Sequence, residues 1–285
     1  EFCNGGDLSG CLKKYKEVHR RPFSEQIVQY LMRQIVNGLE FLHSNKIIHR
    51  DLKLDNILVT FNSEEDKKNL NMMKATAKII DFGFATTLKA SKSNLTYTVL
   101  GTPTNMDPQL LQNMETHTRN VQGYDDKADI WSLGTICYEM LVGKALFNSE
   151  TMNDLVKKVE NGTYQIPTNT STEIASFLFN MLQYNSEARL SAEQLSKHPF
   201  LTKRVSDFSK INTKQVSRKV DNKGLNINVK QNQTIWAIFN EEDEKRLVNI
   251  KGGRDYPAPE GPISEDATRN KRSKTETNIP RIPTS

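Results

Sequence analysis

The sequence predicts a mainly α fold with a small β-hairpin region, followed by a disordered tail. Apolar residues recur at helical spacing over two long segments. Two short β-like apolar runs flank one long polar stretch. After Leu201 the composition shifts to Lys, Asn, Ser, Thr and Gln, with repeated Pro from Pro257 to Pro283. Such a composition buries too little apolar surface to offset the entropy of folding.

In chain order, Phe23 to Ser44 reads as the first long helix, with Ile27, Leu31, Ile35, Leu39 and Leu42 on one face. Ser24 suits its N-cap, Glu25 its positive start, and Phe23 with Val28 a hydrophobic staple. Ile57-Leu58-Val59 and Ala77-Lys78-Ile79-Ile80 read as the arms of a hairpin. Its tip, Phe61 to Lys74, is unusually long, and a mobile tip is expected. Lys127 to Val142 reads as a helix that is apolar almost all round and therefore central. Asp129 in its first turn would be buried, and a buried carboxylate needs partners. Shorter helical patterns follow at Asp154–Glu160, Glu173–Tyr184 and Ala192–Lys197, and His198-Pro199-Phe200-Leu201 closes the packed region. In the tail, Gln233 to Val248 has the pattern of a short helix, either docking on the domain or a partner or forming only transiently.

A chain of 285 residues accommodates one large domain or two ordinary ones. Cys3, Cys11 and Cys137 have no metal-ligand spacing and are odd in number, which argues against a disulfide scaffold. A reducing intracellular setting, cytoplasmic or nuclear, is the expectation. No run reaches the roughly 18 apolar residues of a membrane span, and no secretory signal opens the chain. The start at Glu1 rather than Met suggests a fragment. From Thr202 onward there are 17 Lys and Arg against 11 Asp and Glu, while the preceding residues carry 22 against 23. The basicity therefore belongs to the tail, and no nucleic-acid partner is argued for the domain.

The chemistry concentrates in His49-Arg50-Asp51-Leu52-Lys53-Leu54-Asp55-Asn56, with Asp81-Phe82-Gly83 downstream. A carboxylate, an ammonium and a carboxamide at this spacing suit phosphoryl transfer, which must position a hydroxyl, hold magnesium and screen phosphate charge. The pattern resembles the catalytic and magnesium-binding loops of a eukaryotic serine/threonine protein kinase.

The resemblance covers Glu1 to about Leu201 and implies the hinge and large, mostly helical lobe of that domain, with residues 202–285 as the tail. It implies ATP and Mg2+ as cofactors and proteins as substrates. Asp51 would be the catalytic base, and Lys53 would reach the transferred phosphate. Asn56 and Asp81 would hold the metal, and Thr102, in Gly101-Thr102-Pro103, would bond to Asp51 and Lys53. Glu1 and Cys3 would meet the adenine edge through their backbone, Asp7 the ribose, and Leu58 the underside of the ring. His49 and Phe82 would stack in the hydrophobic column that joins the two lobes. Thr98 would be an activation-segment phosphosite facing Arg50. Asp7, Asp55 and Glu139 match acidic positions that read basic residues before the acceptor, so basic peptides would be favoured.

Two departures stand out. Where the family usually has Tyr-Met-Ala-Pro-Glu, this chain has Asn105-Met106-Asp107-Pro108-Gln109. Gln109 brings no charge to Arg189, the match for the arginine that the family glutamate neutralises, and Asp107 is the available substitute. No glycine-rich phosphate loop and no strand lysine with its helix glutamate occur in the sequence. The 285 residues alone are therefore expected to have little kinase activity. The alternative is a non-catalytic pseudokinase or scaffold module.

Overall fold

The computed structural model describes residues 1–87, 102–116, 125–167, 169–208, 220–221 and 224–228. The first half supplies β1 (Gly6–Asp7), α1 (Leu8–His19), α2 (Glu25–Ser44), β2 (Ile47–Ile48), β3 (Ile57–Phe61), α3 (Glu64–Lys68), β4 (Ala75–Ile79) and β5 (Thr86–Thr87). The second supplies α4 (Pro108–Thr116), α5 (Asp126–Val142), α6 (Met152–Asn161), β6 (Thr163–Ile166), α7 (Thr172–Met181), α8 (Ala192–Ser196), α9 (Pro199–Thr202), β7 (Val220–Asp221) and β8 (Gly224–Asn228). Contacts divide the chain into Glu1–Arg254 and Asp255–Ser285. All of the second unit, the Gln233–Val248 pattern and Thr98 lie outside the described residues.

α2 and α5 frame the core. The Ser24 side chain accepts from the Ile27 amide at 3.4 Å, so the helix begins at Glu25, one residue after its cap. The periodic face Ile27, Leu31, Ile35 and Leu39 is buried, as is the staple pair Phe23 and Val28. α5 is buried on nearly every side: Ile130, Trp131, Leu133, Ile136 and Met140 are fully inaccessible. Asp125 caps its start by accepting from the Lys127 amide at 3.0 Å. Gly143, at φ +78°, turns the chain out of the helix in the left-handed conformation that glycine adopts without steric cost.

The hairpin is present and extended by a third strand. β3 lies between β1 and β4, both antiparallel to it, in register Asp7↔Leu58 and Leu58↔Lys78. Its long tip is built rather than irregular. The Ser63 hydroxyl caps α3 by accepting from the Asp66 amide at 3.1 Å, Asn71 donates to Asp66 at 2.8 Å, and Met72 is buried.

Gln29 and Arg33 of α2 hold the end of the packed region. Gln29 donates to the Phe200 and Lys203 carbonyls at 2.6 and 2.8 Å, and Arg33 to the Leu201 carbonyl at 2.7 Å. These bonds satisfy carbonyls that a four-residue helix leaves open. Two strands lie in the stretch that composition assigned to the tail. β8 pairs antiparallel with both β6 and β7.

Candidate active site

The loop from His49 to Lys53 is held from α5. Asp129, 1% exposed, accepts from the His49 amide at 2.8 Å, the Arg50 amide at 2.9 Å and the His43 imidazole at 2.9 Å. Three bonds give the buried carboxylate the partners it requires. They also pin Arg50 at φ +70°, a left-handed conformation that costs a non-glycine residue on the order of 1 kcal/mol or more. His43 was not singled out from sequence. Its only local signal is a basic side chain in the last turn of α2.

Asp51 is the hub. Its Oδ1 accepts from the Thr102 amide at 3.0 Å and the Thr102 hydroxyl at 3.1 Å. Its Oδ2 accepts from the Lys53 ammonium at 2.8 Å and the Asn56 carboxamide at 3.0 Å. Lys53 also donates to the Thr102 hydroxyl at 3.0 Å, and Asn56 to the Asp51 carbonyl at 2.8 Å. Lys53, Asn56 and Thr102, the last 51 positions away, thus meet around the Asp51 carboxylate, a residue 5% exposed.

Asn56 and Asp81 approach through the hairpin. The Ile80 amide donates to the Asn56 carbonyl at 3.0 Å, which places Asp81 one residue beyond. Asp81 has φ +62° and an exposed side chain, and its carboxylate accepts from the Gly83 amide at 3.2 Å. One carboxamide and one open carboxylate are hard oxygen donors. They fit a magnesium ion completed by substrate phosphates and water rather than an all-protein cage. No cluster of three or more His, Cys, Asp or Glu suited to a metal occurs among the described residues. The His49 ring meets Phe82 edge-on at 5.3 Å and bonds the Ile80 carbonyl at 2.8 Å.

Two of the positions expected at the nucleotide, Asp7 and Leu58, share one sheet face. Leu58 is half-buried and directly opposite both Asp7 and Lys78 in the ladder, and directly opposed side chains lie on one face. The Glu1 carboxylate pairs with the Lys78 ammonium, a partner not foreseen from sequence, and this holds the carboxyl below its ordinary range. Cys3 is a half-buried free thiol. Asp7 has a second task as N-cap of α1, accepting from the Gly10 amide at 2.7 Å.

The substrate-reading positions come together only in part. Burial raises the Glu139 carboxyl, the Asp55 charge adds to that, and Lys16 opposes it. Lys13, Lys16 and Arg20 line the same surface groove as Glu139, so its charge is mixed rather than purely acidic. Asp7 stays at the α1 cap. The Arg50 guanidinium donates to the Phe84 carbonyl.

The departure at Gln109 is resolved two residues earlier. Asp107, 4% exposed, pairs through Oδ2 with the fully buried Arg189 guanidinium. Through Oδ1 it caps α4, accepting from the Gln109 amide at 2.8 Å. Gln109 turns its amide nitrogen to the Tyr184 carbonyl at 2.6 Å and leaves its oxygen 3.4 Å from Arg189. Arg189 also donates to the carbonyls of Gln183 at 2.7 Å and Lys127 at 2.9 Å, and lies 5.0 Å from the centre of the Trp131 ring.

A helix-rich lobe with a carboxylate hub, and an Asn and an Asp carried beside it on neighbouring strand ends, is the architecture of one class of phosphotransferase domain. The family model described as protein kinase domain matches residues 1–201, and the chain belongs to that family. It is 36% identical over 210 residues to serine/threonine-protein kinase atg1 of Dictyostelium discoideum, covering 74% of this chain and 28% of that protein. It is 37% identical over 204 residues to human serine/threonine-protein kinase ULK1, covering 70% and 18%. Against serine/threonine-protein kinase PLK4 of Danio rerio the identity is 34% over 234 residues, covering 82% and 22%. The chain thus spans less than a third of the length of these relatives. No helix among the described residues is long and apolar enough to cross a membrane.

Proposed function

We propose that this chain carries the hydroxyl-side and magnesium-side half of a serine/threonine protein kinase site. One observation carries the reading: Lys53, Asn56 and Thr102 all reach the Asp51 carboxylate within 3.1 Å. A carboxylate so fixed orients a substrate hydroxyl and takes its proton as the hydroxyl oxygen bonds to the γ-phosphorus and the bond to ADP breaks. Lys53 offsets negative charge on the transferring group. Thr102 ties the segment that precedes α4 to the reacting end of the loop. Magnesium held by Asn56 and Asp81 would screen the phosphate charge when bound. The relatives, each named a serine/threonine-protein kinase, support this substrate class.

The test is Mg-ATP-dependent transfer to peptides by the full-length protein. Asp51→Asn keeps the shape of the hub, and the expected loss in kcat is about 10²–10⁴-fold, the usual contribution of a positioned acid–base group. Transfer at the unsubstituted rate would reject the role. The same assay checks a second part of the reading: the 285 residues alone transfer slowly, because the sequence has no glycine-rich phosphate loop or strand lysine. The preference for basic peptides rests on Asp55 and Glu139, and Lys16 beside Glu139 limits it. A peptide library without Arg or Lys enrichment before the acceptor would remove that element.

A further inference from the structure

α5 ends with a charge that its own dipole disfavours. Glu139 lies in the last turn, where open carbonyls carry negative partial charge, and no basic residue of the helix accompanies it. The cation comes from α1 instead. The Lys16 ammonium donates to the carbonyl of Gly143, the residue that follows α5. The lysine stem lies across that glycine, where a Cβ would stand 3.2 Å from both Lys16 Cδ and Lys16 Cε. Gly143 in turn donates its amide to the Glu139 carbonyl at 2.7 Å. The ammonium is thus fixed one helical turn from Glu139.

Lys16 and Glu139 open onto one groove of about 370 Å³. Lys13, Glu17 and Arg20 line it as well, so three cations face two carboxylates. Such a groove offers a basic side chain no net negative charge. Lys16 is the groove cation whose charge acts on Glu139, opposing that of Asp55. α1 packs against the turn Leu54–Asn56, which carries Asp55 and the Asn56 carboxamide that bonds Asp51. A peptide whose hydroxyl sits at Asp51 therefore has this mixed surface beside its flanking side chains.

Resting on the kinase reading above, we infer that Lys16 is a specificity-determining residue, and that its ammonium takes in cis the place beside Glu139 that a basic substrate side chain would fill. Glu139 is then answered from within the chain. A substrate Arg or Lys entering the groove meets a like charge already held there, and like-charge juxtaposition is a standard means of rejecting a partner. Asp55 is left to favour a basic side chain, while the Glu139 end of the groove accepts neutral or acidic ones. The lysine thus has two tasks. It closes the end of α5 through Gly143, and it sets how strongly the chain selects for basic residues before the acceptor.

The test is a peptide series phosphorylated by the full-length protein with Mg-ATP. One peptide has alanine at every position before the acceptor, and the others carry a single Arg moved through those positions. Lys16→Met keeps the stem and removes the charge. The ratio of kcat/KM between the best Arg peptide and the alanine peptide is expected to rise about fivefold, the upper range for one exposed charge contact. Lys16→Arg, which keeps the cation, should leave the ratio as it is in the unsubstituted protein. Adding Glu139→Gln to Lys16→Met should remove the gain. An unchanged ratio in Lys16→Met, a gain that survives Glu139→Gln, or an equal gain in Lys13→Met would overturn the inference and leave the kinase reading standing. Absence of transfer to every peptide by the unsubstituted protein would reject that reading, and the inference with it.

Discussion

Asp107 shows how a single residue can carry two structural obligations. One oxygen closes the start of α4 and the other neutralises a guanidinium with no access to solvent. Removing one member of such a pair leaves a buried charge uncompensated, which typically costs about 3–5 kcal/mol. Asp107→Asn is therefore expected to lower unfolding free energy by roughly that amount in urea titration. Gln109→Glu in the same background should recover part of the loss, because the Gln109 side-chain oxygen already lies 3.4 Å from Arg189. A change below about 1 kcal/mol for Asp107→Asn would mean that the carbonyls of Gln183, Lys127 and Tyr184 suffice for Arg189.

Helix packing sets the next scale. A Cβ at Gly134 of α5 would stand 2.8 Å from Leu182 Cδ2, 2.9 Å from Leu182 Cγ and 3.0 Å from Met181 Cβ. Met181 Cβ belongs to the stem of a side chain on α7 and cannot swing away, so the two helices must separate. Overpacking of this kind costs about 1–3 kcal/mol and exceeds the roughly 1 kcal/mol of helix propensity that alanine adds over glycine. Gly134→Ala should therefore lower the melting temperature. Gly38→Ala on α2 is the contrast. Its Cβ would meet only the far end of Ile79, at 3.3 Å, and its melting temperature should hold or rise. At this scale much was readable in advance. α2 and α5 follow from apolar period and caps. α1 was missed although Asp7 and the spacing of Leu8, Cys11, Leu12 and Tyr15 signal it, because Gly5-Gly6 at its entrance reads as a turn.

For the molecule as a whole, His198 makes stability depend on pH. Its Nδ1 accepts from the Phe200 amide at 3.1 Å, which leaves the Nε2 proton for the Ser176 hydroxyl at 3.1 Å. This arrangement requires the neutral ring. Burial first, and the Lys203 charge second, depress its pKa from 6.5 to about 3. The unfolded chain takes up the proton near pH 6.5 and the folded chain does not. Stability from this group is therefore complete above pH 6.5 and declines as pH falls from 6.5 toward 3. Between pH 7 and 5 the expected loss is about 2 kcal/mol relative to a His198→Asn chain, measured by urea unfolding at both values. Glu25 works in the opposite sense: burial raises its carboxyl, so its protonation favours the fold at low pH. Comparing slopes between the two chains cancels that contribution. Parallel slopes would show that His198 is not the titrating group.

The sequence by itself determined the chemistry on offer and the elements that present it. The spacing of Asp51, Lys53 and Asn56, the period of α2 and α5, and the caps at Ser24 and Asp125 are short-range signals, set by a turn of helix or the reach of one loop. Only the tertiary structure decided which distant groups satisfy one another. Asp107 rather than Gln109 carries the charge for Arg189, 82 positions away. His43 rather than a backbone group completes Asp129, 86 positions away. β8 lies on the edge of β6. Such partnerships follow from how helices pack, and packing depends on the shape of the whole core rather than on any interval along the chain.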